Sequence, residues 1–217
     1  MSGFNVQAVT DIKSGIIVSA DAVNDRNDVH QLEPQITNAE TVLEKKCETA
    51  VADSGYHSSD ALLSLESRGT DTIVPTPRQS SSKEVQEFDK SNFEYDNKSD
   101  SYRCPCGHKL KRTKTDTKEQ KIHYTISDSN ICKSCVHFGT CTKAKIGRTI
   151  IRFFNEEKRE KLVNKYELPS SQKIYSKRKE VAERPFAYIK HVINYKQFLL
   201  RGFSGVKAEL SLLCAGF

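Results

Sequence analysis

An α/β fold with a mixed sheet and flanking helices, interrupted by a cysteine-rich insertion, is the architecture this sequence predicts. Three observations point to it. Period-two apolar runs alternate with helical patterns over the first 75 residues. Five of the seven cysteines fall between Cys104 and Cys141. A second set of helical patterns then fills residues 156–214. Alternating strands and helices imply a layered α/β sheet, whereas clustered cysteines mark a segment with its own rules.

The elements follow in order. Phe4–Val9 alternates with period two, and Ile16–Val23 is a second run, joined to the first by Lys13-Ser14-Gly15. The pair reads as a hairpin. A helix is expected from Asp28, as N-cap, to about Lys46, with Leu32, Ile36, Ala39 and Leu43 on one face. Thr49–Ala52 is a short strand ending at Asp53-Ser54-Gly55. A helix over residues 58–67 stops at Gly69, and Thr72-Ile73-Val74 is the next strand, closed by Pro75-Thr76-Pro77.

The expected organisation is therefore an α/β segment at 1–77, a polar linker at 78–101, a cysteine-rich insertion at 102–150 and a helical segment at 151–217. In the last, residues 156–166 form a short charged helix. Residues 175–198 form a longer one kinked at Pro185, and residues 204–214 a third.

Composition narrows the function classes. Hydrophobic residues make up 36% and the mean hydropathy is −0.60. No apolar run approaches the ~20 residues of a membrane span. The Met1-Ser2-Gly3-Phe4 start shows no secretory pattern, so a cytoplasmic location is expected. Residues 1–100 hold 9 basic and 18 acidic side chains, whereas residues 101–217 hold 25 and 10. The acidic half and the basic half, the latter suited to a polyanion, lie within one chain of net charge +6.

Two motifs are candidates for a functional site. In Ala52-Asp53-Ser54-Gly55-Tyr56, a carboxylate stands just past a buried strand, where α/β sheets place ligands and where it can hold a hard cation. The same tripeptide also serves as an ordinary turn. In Tyr175-x2-Arg178-x4-Glu183-x6-Lys190, Glu183 and Lys190 are seven apart and share a helix face. Tyr175, Arg178 and Lys190 suit phosphate oxygens. A solvated basic helix is the plainer reading of that stretch.

Together the motifs resemble those of DDE-type transposases of bacterial insertion sequences. The resemblance rests on Tyr175–Lys190, with Pro185-Phe186 after the glutamate. It also rests on Phe198-Leu199-Leu200-Arg201-Gly202-Phe203 with Lys207 and Glu209, on Gly3-Phe4-Asn5-Val6-Gln7, on Asn24-Asp25-x-Asn27-Asp28, and on Ala52–Tyr56. It covers nearly the whole chain in the family's order. It implies an RNase H-like domain in which two Asp and one Glu hold two Mg²⁺ (or Mn²⁺) ions that cut DNA 3′ ends and join them to a target. By carry-over Asp53 is the second Asp, Glu183 the glutamate, and Tyr175, Arg178 and Lys190 accessory phosphate contacts. The spacing departs from a related signature by one residue, with four residues rather than three between Arg178 and Glu183.

A larger departure concerns the first Asp. The family carries it on a first, central strand before the hairpin, yet here the chain begins at the hairpin. Asp11 lies in the hairpin turn, and Asp21, Asp25 and Asp28 follow it. The fragment is therefore expected to be catalytically inactive alone and only marginally folded. DNA is the expected partner, a homodimer is compatible, and no membrane contact is expected. The alternative is a non-catalytic, zinc-stabilised DNA-binding protein derived from such an element.

Cys104-Pro-Cys106-Gly107-His108 and Cys132-x2-Cys135-x5-Cys141 suit tetrahedral Zn²⁺, as a zinc-ribbon-like insertion. Because the family usually shows one cysteine at the first position, the expected set is Cys104, Cys132, Cys135 and Cys141, with Cys106 or His108 as substitutes. Lys109, Lys111, Arg112 and Lys114, with Arg148 and Arg152, suit contacts to DNA phosphates, with a solvated basic loop as the alternative reading.

Overall fold

The computed structural model describes residues 4–81 and 84–217. Gly3 of the first motif, and Ser82 and Lys83 of the expected linker, lie outside the described residues. The chain forms two compact units. One is Met1–Ser82 together with Lys158–Phe217, and the other is the inserted Lys83–Glu157.

The first unit opens with an antiparallel hairpin, β1 (Asn5–Thr10) and β2 (Ile17–Val23), with Val6 opposite Ala22 and a register shift at Val9/Thr10. Its turn is closed by the Asp11 carboxylate. That group accepts from the Ser14 amide (2.8 Å) and hydroxyl (2.6 Å), and Gly15 supplies the left-handed backbone (φ +73°).

Helix α1 (Leu32–Leu43) begins three residues later than expected. Its cap position is Gln31, which makes no side-chain cap bond. Asp28 is instead engaged by two side-chain amides of β1, at 2.7 Å each. Two charge-assisted bonds from a half-buried strand outweigh the single bond of a helix cap.

Strand β3 (Thr49–Val51), helix α2 (Ser59–Ser67) and strand β4 (Asp71–Ile73) form a parallel crossover unit, with Ala50 paired to Thr72. The core beneath it is Leu32, Ile36, Ala50, Ala52, Leu62, Leu65 and Val74. Among the described residues β1–β2 and β3–β4 are two separate two-stranded sheets, not one mixed sheet. A one-turn helix, α3 (Pro77–Ser80), ends this half, held by a Thr76/Gln79 capping box.

The inserted unit is an antiparallel meander of five strands: β5 (Glu94–Asp96), β6 (Ser101–Arg103), β7 (Lys109–Asp116), β8 (Lys121–Ile126) and β9 (Thr149–Phe153). Short helix α4 (Ser129–Lys133) lies between β8 and β9. The core is Phe93, Tyr102, Leu110, Tyr124 and Ile150. The stretch expected as a polar linker therefore belongs largely to this unit. Phe88 and Phe93 are buried in it, and Tyr95 packs at 5.0 Å from Tyr102.

The chain then returns to the first unit through α5 (Glu156–Glu167) and α6 (Pro169–Ala187), with Pro169 in the favoured first helical position. Pro185 sits inside α6, and the helix continues as a π-helical turn over Tyr188–Val192. A missing proline N–H disturbs the regular bond pattern there, which is the local form taken by the expected kink. Helix α7 (Gly202–Ala215) closes the unit against β2, with Val206 and Leu210 on Ala22 and with Lys207 paired to Asp21 at 2.7 Å. No helix among the described residues is long and apolar enough to cross a membrane.

Candidate active site and cysteine centre

Asp53 stands two residues past β3, where it caps the 3-10 turn Ser54–Tyr56, and its Oδ1 accepts from the Gly55 amide at 2.9 Å. That bond fixes one oxygen and leaves a half-exposed carboxylate. A Cβ at Gly55 would stand 3.0 Å from Asp53 Oδ1 and 3.6 Å from Asp28 Oδ2. Both carboxylates thus flank the same point, and glycine is what leaves it open.

The second motif reaches this place through Arg178. Its Nη1 lies 3.9 Å from Asp53 Oδ2, and its guanidinium stands 5.3 Å from the Tyr175 ring centroid. Tyr175 in turn meets Tyr166 edge-on at 5.1 Å. Arg178 Nε is buried without a hydrogen-bond partner among the described residues. The structure therefore brings Asp53, Tyr175 and Arg178 together.

Glu183 and Lys190 are placed differently. Helix α6 packs against β1 and β3, so Glu183 rides on the helix beside the Asp53 strand. Its side chain is exposed, and it makes no hydrogen bond or ion pair among the described residues. Lys190 is also exposed and lies in the π-helical turn that follows α6.

Sequence reasoning missed the support of this site. Asp28 Oδ1 accepts from Asn5 Nδ2 and Gln7 Nε2, and the Tyr56 hydroxyl donates to Gln7 Oε1. Gln7 is 1% exposed. Burial, and then the Asp28 and Asp53 carboxylates, push the Tyr56 phenol well above its ordinary range, so it stays a donor. The available signal was Asn5-x-Gln7, two amides at period two on one face of an otherwise apolar strand.

As ligands, Asp53, Asp28 and Glu183 offer the hard oxygen donors that suit Mg²⁺. Among the described residues, no three His, Cys, Asp or Glu side chains stand together as a finished metal site. The donor chemistry fits the ion, and the set is incomplete.

In the inserted unit, Cys104, Cys106, Cys132, Cys135 and Cys141 line one cavity, and all are free thiols. Cys104 follows β6 into a turn closed by Gly107 (φ +83°), and its sulfur accepts from the His108 amide at 3.3 Å. Cys132 sits in the last turn of α4, and its sulfur accepts from the Arg148 amide at 3.5 Å. Gly147 (φ +83°) permits that approach, since a Cβ there would stand 2.4 Å from Ile126 Cγ2 and 3.2 Å from Cys132 Sγ. Cys135 Sγ and Cys106 Sγ are 3.9 Å apart. Desolvation, then Cys135, Cys104 and Cys141, push the Cys106 thiol up to about 11. His108 also borders this cavity.

The basic residues divide. Lys109, Lys111, Arg112 and Lys114 are exposed along β7. Arg148 and Arg152, expected on DNA, turn inward instead. Arg148 donates to the carbonyls of Cys141 (3.0 Å) and Phe88 (2.9 Å). Arg152 is 9% exposed, stacks 3.9 Å from the Tyr95 ring centroid and pairs with Glu157. Both are structural cations that satisfy the small tyrosine-rich core.

Residues 103–217 match the family model described as transposase DDE domain. That stretch takes in the cysteine centre and the Tyr175–Lys190 motif and leaves Asp53 outside. No curated protein and no solved structure matches the chain.

Proposed function

Since the chain belongs to the transposase DDE domain family, we propose that it is the C-terminal part of an insertion-sequence transposase with an RNase H-like catalytic domain. Its chemistry is metal-dependent DNA cleavage and strand transfer. The observation that carries this reading is the reach of Arg178, from the Tyr175–Glu183 motif, to Asp53 at the end of β3. Two residues 125 apart in sequence, Asp53 and Arg178, meet at one carboxylate, as a shared site requires.

When bound, Mg²⁺ or Mn²⁺ supplies an activated oxygen nucleophile and stabilises the leaving oxygen. Asp53 and Glu183 are the residues that would hold it. Arg178 neutralises Asp53 and, stacked on Tyr175, is poised to exchange that carboxylate for a phosphate oxygen. Lys190 adds a point charge for the DNA backbone. The Asp28–Gln7–Tyr56 chain keeps the Asp53 turn rigid, which is the support that a preorganised ligand needs.

Catalysis needs a third carboxylate that Asp28 does not replace, because its Oδ1 is committed to two amides. The separation of β1–β2 from β3–β4 supports the view that an additional strand belongs between them, and the chain alone is proposed to be inactive. A structural Zn²⁺ in the inserted unit is part of this proposal.

Mn²⁺ binding, followed by water-proton relaxation, tests the site without requiring turnover. Asp53→Asn and Glu183→Gln should each weaken binding at least about tenfold. Unchanged binding in both variants overturns the assignment. Mg²⁺-dependent strand transfer by the chain alone overturns the inactivity.

A second reading, a non-catalytic zinc-stabilised DNA-binding protein, is favoured by β7, where four exposed cations lie along one strand. Salt-sensitive DNA binding that survives Asp53→Asn and Glu183→Gln, with no Mn²⁺ site in the parent chain, would select it.

A further inference from the structure

We infer that the inserted unit holds Zn²⁺ through Cys104, Cys106, Cys132 and Cys135, with Cys141 outside the ligand set. This rests on the structural-zinc part of the reading above and not on its catalytic part. It replaces the set expected from the sequence by exchanging Cys141 for Cys106.

Tetrahedral geometry is the first argument. Two sulfurs each about 2.3 Å from a zinc ion stand about 3.8 Å apart across a tetrahedral angle. Cys106 and Cys135 are already 3.9 Å apart. They come from different segments, one from the turn after β6 and one from the turn after α4, so the ion would join the two.

The other two ligands are marked by main-chain donors. The His108 amide points at Cys104 Sγ and the Arg148 amide at Cys132 Sγ. A backbone N–H aimed at sulfur fixes that sulfur's position before any ion arrives, which is the support a preorganised ligand needs. Each turn thus offers one sulfur held by an amide and one held toward the opposite turn.

Cys141 has a different setting. Its amide donates to the His137 carbonyl at 2.9 Å, its own carbonyl accepts from Arg148, and its side chain packs against the Phe93–Tyr102–Leu110 core. No amide is directed at its sulfur among the described residues. It serves as a small apolar group filling the cavity wall. Cys104 touches the same core but carries the amide bond that Cys141 lacks.

Closure onto the ion needs movement, since no three ligands already stand at coordinating separations. The turn after β6 is where it is available. Cys106 is exposed, and nothing lies within 4 Å of the Cβ position at Gly107. Arg148, at the cavity wall, offsets part of the charge of four thiolates.

The test uses the whole chain, expressed with zinc and assayed for metal content. Affinity is read by competition with a chromogenic chelator. One zinc per chain is expected. Cys106→Ser should weaken binding at least about tenfold and remove about a quarter of the thiolate-to-metal charge-transfer intensity of the Co²⁺ form. Cys141→Ser should change neither. Because Cys106 is exposed, the metal-free Cys106→Ser chain should match metal-free parent in circular dichroism, which separates ligand loss from misfolding.

A strong loss for Cys141→Ser with none for Cys106→Ser restores the sequence-based set and overturns the inference. A folded parent chain with well under one zinc overturns the metal centre altogether. Zinc bound as expected in a chain that binds no Mn²⁺ leaves the inference standing while the catalytic reading falls.

Discussion

Tyr56→Phe removes one oxygen and tests whether the Asp53 turn is held from beneath. The lost hydroxyl donates to Gln7 Oε1, an acceptor on a side chain that is 1% exposed. Gln7 Nε2 keeps its bonds to Asp28 and Asn5, so the side chain cannot swing out to find water. Losing an ordinary hydrogen bond costs about 1 kcal/mol, and leaving a buried acceptor unpaired costs about 1–3 kcal/mol. The expected destabilisation is therefore about 2 kcal/mol, or roughly 4–8 °C in Tm for a chain of this size. Urea unfolding at neutral pH measures it. Gln7→Met also removes the bonds to Asp28 and Asn5, so the double variant Gln7→Met/Tyr56→Phe is read through the cycle, where the shared bond should appear as a coupling of about 1 kcal/mol. A single-variant cost below about 0.5 kcal/mol, or strict additivity in the cycle, would refute the buried network. If the loss is seen, Mn²⁺ affinity at Asp53 should fall with it, because the turn bearing the carboxylate loses its anchor.

Two further outcomes belong to the inserted unit. The Tyr124 hydroxyl foremost, with those of Tyr95 and the Arg112 guanidinium, holds the Asp100 carboxyl below the usual carboxylate range. A depressed folded-state pKa contributes stability that is complete above about pH 4 and is lost as pH falls through the folded value. Asp100→Asn, which tolerates the left-handed backbone at this position (φ +41°), should flatten the acid limb of urea midpoints between about pH 3 and 5. An unchanged acid limb counts against Asp100 as the group responsible. Gly147→Ala forces a side chain into left-handed backbone and against Ile126, and should cost more than about 2 kcal/mol in thermal unfolding. It should also displace Cys132 and lower zinc affinity. A neutral effect on both would show that Cys132 is not held where the Arg148 amide places it.

The hairpin, the β3–α2–β4 crossover and α7 were legible because apolar alternation and glycine or proline punctuation agree with the backbone there. The onset of α1 was not. Asp28 reads as an N-cap from local sequence, and only tertiary structure shows that two amides from β1 claim it. Residues 84–101 read as linker because their few apolar anchors, Phe88, Phe93 and Tyr95, are scattered among polar side chains and find their cover only in strands later in the chain. Arg148 and Arg152 read as DNA contacts because charge alone does not reveal a cation stacked on Phe93 or Tyr95. Asp53 and Arg178 stand out in the sequence by motif, and their side chains lie 3.9 Å apart. Asn5 and Gln7 lay in plain view as period-two amides whose partner, 21 residues beyond Gln7, no local pattern could identify.

The core that joins Phe4, Ala22, Val206 and Leu210 sets an order on synthesis. Its two halves are separated by nearly the whole length of these 217 residues, whereas each strand of the inserted unit pairs with a sequence neighbour. Local pairings pay little loop-closure entropy and form early; distant ones wait for their partner to exist. During translation the five-stranded meander can therefore complete while β2 still lacks α7 as its cover. Until α7 leaves the ribosome, the apolar face of the hairpin is a surface for chaperones, and a ribosome that stalls near residue 200 releases a chain whose inserted unit is finished and whose first unit is open.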